Sequence, residues 1–165
     1  MFQKIPSCKI IELGDNRFKY FSEKLIPGLI KKSNVAIVFP EYVDFVRVKE
    51  YLDLINIEYE SICEYDTKAD VDRARHYFKD EGNILLYTER AHFFRRYRIP
   101  SVLHIVFYQP LNFGFYPELV NQVSQDGTCT TLLSIYDQHA LERTIGSEKC
   151  KIVLKSEKEA FMFTL

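Results

Sequence analysis

Short apolar runs alternate with amphipathic stretches along nearly the whole chain. "RFKYFSEKLIPGLIKK" (17–32) carries Phe18, Phe21, Leu25 and Leu29 at helical spacing, with Pro27 expected to bend or interrupt the helix. "NVAIVFP" reads as a buried strand, and "YVDFVRVKEYLDLIN" sets Val43, Val46, Tyr51, Leu52 and Ile55 on roughly one helical face. "EYESICEY" is a second strand, completing a βαβ unit. "KADVDRARHYFKDEG" predicts a helix beginning near Asp70 and closed by Gly82 at C′, followed by the strand "NILLYTE". The remainder reads as a strand "SVLHIVFYQ", a helix "FYPELVNQV", a strand "TCTTLLSIY" and a helix "DQHALERTIG" capped by Asp137. The tail "CKIVLKSEKEAFMFTL" reads as one or two edge strands.

Near-continuous apolar strands separated by helices predict an α/β fold: a mostly parallel sheet with helices on both faces and right-handed crossovers. Residues 1–15 read as an N-terminal arm, and 16–165 as a single domain. The 165 residues fall within the ~100–200 typical of one domain, and 47% hydrophobic content is enough for a sizeable core.

Charge changes the picture. With 22 basic against 23 acidic residues the net charge is −1, so nucleic acid could be held only by a local patch, not by a general basic field. Cys8, Cys63, Cys129 and Cys150 are scattered, with no CxxC pair or zinc spacing, and read as reduced thiols. The start "MFQKIPSCKIIELG" lacks the apolar segment of a signal peptide, and the longest apolar runs, such as "VAIVF", are far below the ~20 residues that span a bilayer. No membrane partner is expected, and the chain is expected to stay inside the cell.

Open parallel sheets bind ligands at the carboxyl ends of their strands. Those ends read "FPEYVDF", "CEYDTKAD", "YTERAHFFRRYR" and "YQPLNFGFYP". None is a Gly-rich phosphate cradle. "GLIKKS" (28–33) lacks both the glycine before lysine and the preceding strand, and no GxGxxG, GxSxG or HExxH occurs. Nothing in the sequence brings a cysteine and a histidine together as a nucleophile and base. His104 alternates within an apolar strand, where a satisfied core imidazole is a commoner reading than a catalytic base. Strand-end acids such as Glu41 and Asp66 read as caps or arginine partners. No catalytic residue, cofactor, metal or small-molecule substrate is assigned.

The concentrated chemistry is Thr88–Arg98, where four arginines, a histidine and three aromatics share eleven residues. Guanidinium groups there could hold phosphates while Phe93, Phe94 or Tyr97 stack on bases or a partner protein. Equally, the aromatics could press a short helix on the core while the arginines pair with Asp66, Asp70 and Asp72.

"DNRFKYFSEKLIPGLI", "VAIVFPEYVDFVRVKEYL", "SICEYDTKADVDRARHYF", "ILLYTERAHFFRRYRI" and "LSIYDQHALERTIGSEK" together resemble the carboxy-terminal part of the digestive organ expansion factor family, nucleolar U-three snoRNA-associated proteins of the small-subunit processome. The resemblance runs from about residue 15 to the end and implies the second RecA-like lobe of an RNA helicase, a P-loop NTPase-like fold. By it, "VFPEYVDF" occupies the place of helicase motif IV. Thr88 and Glu89 occupy the Thr-Asp position of motif V, where helicases meet the RNA backbone and the ribose. The stretch corresponding to the arginine-finger motif, residues 115–128, contains no arginine. The lobe that would carry the P-loop is likewise not among the 165 residues.

The resemblance therefore implies a non-catalytic ribosome biogenesis factor, a pseudo-helicase of the nucleolus in the nucleus. It would support processing of small-subunit rRNA by binding pre-rRNA, U-three snoRNA and processome proteins within a ribonucleoprotein. The candidates for RNA or partner contact are Thr88 and Glu89 by the resemblance, and Arg90, His92, Phe94, Arg95, Arg96, Tyr97 and Arg98 by the composition of the block. Two alternatives stand beside it: an RNA-dependent ATPase whose first lobe is supplied elsewhere, and a protein-only scaffold.

Overall fold

In the computed structural model, which describes residues 1–163, the chain builds a seven-stranded sheet covered on both faces. The strands are β1 (Phe2–Lys4), β2 (Val35–Phe39), β3 (Tyr59–Ile62), β4 (Ile84–Thr88), β5 (His104–Phe107), β6 (Thr128–Leu133) and β7 (Ala160–Phe161). Their spatial order is β3-β4-β2-β5-β6-β1-β7, with every pairing parallel except the antiparallel β1–β7 pair. This is the expected α/β architecture.

The pleat sends alternate side chains to opposite layers. From β2, Ala36 and Val38 face one layer while Val35, Ile37 and Phe39 face the other. The second layer holds α1 (Leu13–Tyr20), α2 (Ile26–Leu29) and α3 (Tyr42–Leu54). The first holds α4 (Lys68–Glu81), α5 (Glu89–Arg95), α6 (Tyr116–Val120), α7 (Gln138–Ile145) and α8 (Ser147–Lys155). Central strands buried on both faces need largely apolar residues at every position, which is why β2 is wholly apolar and β4 is apolar up to Tyr87, whose buried hydroxyl finds a partner in His92.

The bend expected at Pro27 takes a specific form. Between α1 and α2, Phe21–Leu25 is a π-turn in which the Ile26 N–H donates to Phe21 O. Widening the helix just ahead of a proline accommodates a residue that has no N–H to give and whose ring crowds the preceding turn. Helix α4 starts at Lys68, two residues before the expected Asp70, because the Thr67 hydroxyl accepts the Asp70 N–H at 3.3 Å. It ends where expected, at Gly82 in the left-handed region (φ 66°).

Three expectations are corrected. Residues 2–4, read as part of an arm, are a strand between β6 and β7, with Phe2 and Ile5 buried on opposite faces. The tail segment from Cys150 belongs to helix α8: Cys150, Val153 and Leu154 meet the core at helical spacing, and only the two-residue β7 is an edge strand. Residues 164–165 of that reading lie outside the described residues. Asp137 does not cap α7; its carboxylate accepts from Ser134 N (2.6 Å), Ser134 Oγ (2.8 Å) and Arg17 (2.7 Å). No described helix is long and apolar enough to cross a membrane, and the four cysteines are free thiols.

Candidate functional site

Strand β4 ends at Thr88 and the chain turns at once into α5, so the phase of this seven-residue helix decides which side chains face inward. Thr88 is the cap: its Oγ1 accepts the Ala91 N–H at 3.2 Å and donates to Glu64 Oε2 at 2.8 Å. Glu89, fully buried, accepts the backbone N–H groups of Asn112 (2.9 Å) and Phe113 (2.7 Å) and so pins the loop after β5. Burial raises the Glu89 carboxyl pKa above its ordinary value, while those two amide donors act to lower it.

One turn on, His92 is buried with Nδ1 3.1 Å from the Tyr87 hydroxyl and Nε2 3.1 Å from Glu118 Oε1. Arg96 ends the helix in the left-handed region (φ 48°), pairs with Glu118 Oε2 and lays its guanidinium 4.3 Å over the Phe115 ring. Glu118 of α6 thus holds both His92 and Arg96. Tyr97 packs partly buried against the core.

The proposed contact set therefore divides. Thr88, Glu89 and His92 are withdrawn into the fold, a correction that follows from helix phase: the strand end and the first inward turn of α5 belong to the core. Arg90 is half exposed, 3.4 Å from Glu64. The acids that pair with the arginines of this block are Glu64 and Glu118, not the Asp66, Asp70 and Asp72 expected. The aspartates of α4 pair within their own helix, Asp70 with Arg73 and Asp72 with Arg75. Arg95 and Arg98 are exposed and form no ion pair among the described residues.

The aromatics at the middle of α5 face outward. Phe93 and Phe94 are 47% and 58% exposed and meet edge-on, their centroids 5.3 Å apart. Phe113, 45% exposed, lies 5.0 Å from Phe93 on the loop that Glu89 pins. Arg143 of α7 donates to Asn112 O at 2.8 Å, bringing a further exposed cation to the same loop. Phe113 and Arg143 were not singled out from sequence, because only the tertiary fold joins segments roughly 20 to 50 residues apart in the chain to α5. The site is an exposed aromatic cluster at the carboxyl edge of the sheet, with Arg95 next to Phe94 in the chain and Arg143 bonded to the loop that carries Phe113; Arg98 lies apart, its carbonyl accepting from Arg75 Nε at 2.9 Å. Among the described residues no His/Cys/Asp/Glu group could hold a metal ion.

Burial holds the His92 pKa below the ordinary imidazole value; Glu118 opposes this and Arg96 adds to it. The folded state then binds fewer protons than the unfolded chain as pH falls through the ordinary imidazole value, so stability drops on acidification. Between pH 7.5 and 5.5, wild type is expected to lose unfolding free energy relative to His92→Gln, read from urea unfolding, with a slope no steeper than about 1.4 kcal/mol per pH unit. Taking the difference between the two proteins removes Glu89, whose raised pKa pulls the other way. Parallel pH profiles would show that His92 is not kept neutral.

A family model for the Utp25 C-terminal domain matches residues 1–163. The chain is 34% identical over 174 residues to "U3 small nucleolar RNA-associated protein 25 homolog" of Homo sapiens, covering 99% of this chain and 23% of that protein. It is 35% identical over 171 residues to "Protein NUCLEOLAR FACTOR 1" of Arabidopsis thaliana, covering 99% and 22%. It thus spans about a quarter of the length of these relatives. Among solved structures, the C-terminal domain of the DEAD-box protein Dbp5 superposes with a TM-score of 0.68 at 14% identity, covering 90% of this chain and 82% of that one. The E. coli DEAD-box protein SrmB, solved bound to RraA, gives 0.61 at 15% identity, covering 86% and 81%. These likenesses show the fold: the second RecA-like lobe.

Proposed function

The chain belongs to the Utp25 C-terminal domain family, and from that membership we propose that it is a non-catalytic lobe of a nucleolar ribosome biogenesis factor. Its role is to contact pre-rRNA, U3 snoRNA and small-subunit processome proteins during processing of small-subunit rRNA. The names of the relatives, U3 small nucleolar RNA-associated protein and nucleolar factor, support the nucleolar setting. The observation that carries the contact role is the exposed cluster Phe93, Phe94 and Phe113, with Arg95 adjoining it in the chain and Arg143 bonded to the Asn112 carbonyl beside Phe113. Exposed rings beside guanidinium groups that no carboxylate neutralises among the described residues suit single-stranded RNA, where bases stack and phosphates are held by charge.

A second observation supports the non-catalytic reading. Residues 115–128, which the helicase resemblance would fill with arginine fingers, hold none, and Glu118 within them engages His92 and Arg96. The local charge is the reverse of what stabilises a transferring phosphate. Calorimetric titration with a non-hydrolysable ATP analogue to millimolar concentration is expected to be flat; saturable heat would favour the RNA-dependent ATPase.

The deciding experiment is ultraviolet crosslinking in native cells, followed by purification of the tagged protein and identification of attached RNA and co-purifying proteins. Pre-rRNA or U3 snoRNA together with processome proteins is the expected result. Processome proteins without crosslinked RNA would make the aromatic cluster a protein interface, and neither would overturn the proposal.

A further inference from the structure

Apart from the arginine-flanked cluster, the sheet leaves one long side open. Strand β3 is the outermost strand and pairs only with β4, in the register Tyr59–Ile84 to Ile62–Tyr87. A strand bonded on one side turns about half of its amide and carbonyl groups outward. Among the described residues, Tyr59–Ile62 form no backbone hydrogen bond other than those to β4, and only beyond the strand does a side chain intervene, where Cys63 N donates to Asp66 Oδ2 at 2.7 Å. The edge is not roofed by another described element. It lies in an open groove of about 1000 Å³, with Lys49 and Asp53 of α3 on one side and Arg73 and Tyr77 of α4 on the other.

The groove is strongly acidic: six carboxylates line it against two cations, Lys49 and Arg73. Arg73 is engaged with Asp70 at 2.9 Å, and Asp53 accepts the Tyr59 hydroxyl at 2.8 Å. Glu58, Glu60 and Glu81 have no ion-pair partner within 4 Å among the described residues. Desolvation lifts the Glu60 carboxyl above its ordinary value, with Arg73 opposing, as happens when a carboxylate is covered without a close cation.

We propose that the β3 edge captures an extended, basic segment of a partner protein as an added strand, its backbone continuing the sheet and its Lys or Arg side chains meeting the groove carboxylates. Strand addition draws affinity from main-chain hydrogen bonds and specificity from alternate side chains. Charge selects the occupant. Edge carboxylates repel the same edge of a second copy, the usual protection of an open strand. They also repel an RNA backbone. A basic strand is the complement that this pattern admits. The surface is distinct in residues and opposite in sign to the arginine-flanked cluster, so one lobe can present an anion-seeking and a cation-seeking face together.

The test uses the full chain and a fluorescein-labelled, end-capped Lys-Val octapeptide, followed by fluorescence anisotropy. Saturable binding is expected, weakened roughly tenfold or more when alternate amides are N-methylated, because the outward hydrogen bonds are lost. A Glu-Val octapeptide, and the Glu58→Lys/Glu60→Lys variant with the Lys-Val peptide, should each bind roughly tenfold or more weakly through like-charge repulsion. No binding by the Lys-Val peptide overturns the proposal. Equal binding by the N-methylated peptide overturns it too, since charge adhesion alone would then suffice. A dimer in sedimentation that Glu58→Lys/Glu60→Lys abolishes would instead make the groove a contact between copies. If that variant fails to fold, the N-methylated peptide on wild-type protein decides.

Discussion

Arg17→Leu is expected to lower unfolding free energy by about 3–5 kcal/mol, the cost of removing one partner from a buried ion pair. Arg17 is 4% exposed although it sits on α1, at the periphery of the sequence pattern. Its guanidinium reaches Asp137 Oδ2 at 2.7 Å, Ser134 Oγ at 3.4 Å and the Gln109 side-chain oxygen. One side chain thereby ties the first helix to the loops that leave β5 and β6. Leucine fills much of the space but leaves the Asp137 carboxylate facing a low-dielectric site with only Ser134 as donor. Urea unfolding should show a lower midpoint with an unchanged slope. The Arg17→Leu/Asp137→Leu protein should be less destabilised than the sum of the single changes, because no charge remains unpaired. A loss under about 1 kcal/mol would place the pair among solvent-screened surface bridges.

Arg17 also shows what the sequence could not say. Its partners lie 92 to 120 residues away, and no periodicity in "DNRFKYF" marks one arginine as buried. Legibility followed the source of each element's stability. β2, β4 and β5 are covered on both faces, so their composition alone announces them. β1 is three residues long and includes Lys4, whose ammonium donates to Leu154 and Ser156 carbonyls; that reads as a polar arm until those acceptors are in place. The tail run "CKIVL" satisfies a strand pattern and a helix pattern alike. Packing decides for helix, burying Cys150 and Val153 while Ile152 stays 60% exposed.

The candidate site divides in the same way. That Thr88–Arg98 is unusual is legible in composition, and that it follows a buried strand is legible in "ILLYT". Which of its side chains face outward depends on where α5 begins. With Glu89 as the first helical residue, residues 89 and 92 share the inward face, and Phe93 and Phe94 are turned to solvent. Neutralisation of Arg96 by Glu118 adds a partner 22 residues distant that no local spacing predicts. The block thus carries less free charge than its composition reads.

Those pairings set the decisive variant of the RNA-contact proposal. Arg96 is unsuitable, because alanine there would release Glu118 and sit at a strained positive φ. Arg95 and Arg98 carry no ion pair among the described residues, so Arg95→Ala/Arg98→Ala should leave the melting temperature within about 2 °C of wild type, as surface changes usually do. The same variant should bind single-stranded RNA more weakly, with a salt slope shallower by about 1.4, roughly 0.7 for each phosphate no longer neutralised. Phe93→Ala/Phe94→Ala should weaken binding with the salt slope intact, since base stacking contributes about 1–3 kcal/mol per base without releasing counterions. All four changes together should reduce affinity by about 100-fold or more, equivalent to about 2.8 kcal/mol. The two measurements separate the contribution of charge from that of stacking. If RNA affinity and salt slope stay at wild-type values while a processome protein no longer co-purifies, the cluster is a protein anchor, since exposed aromatics and arginines serve both kinds of partner.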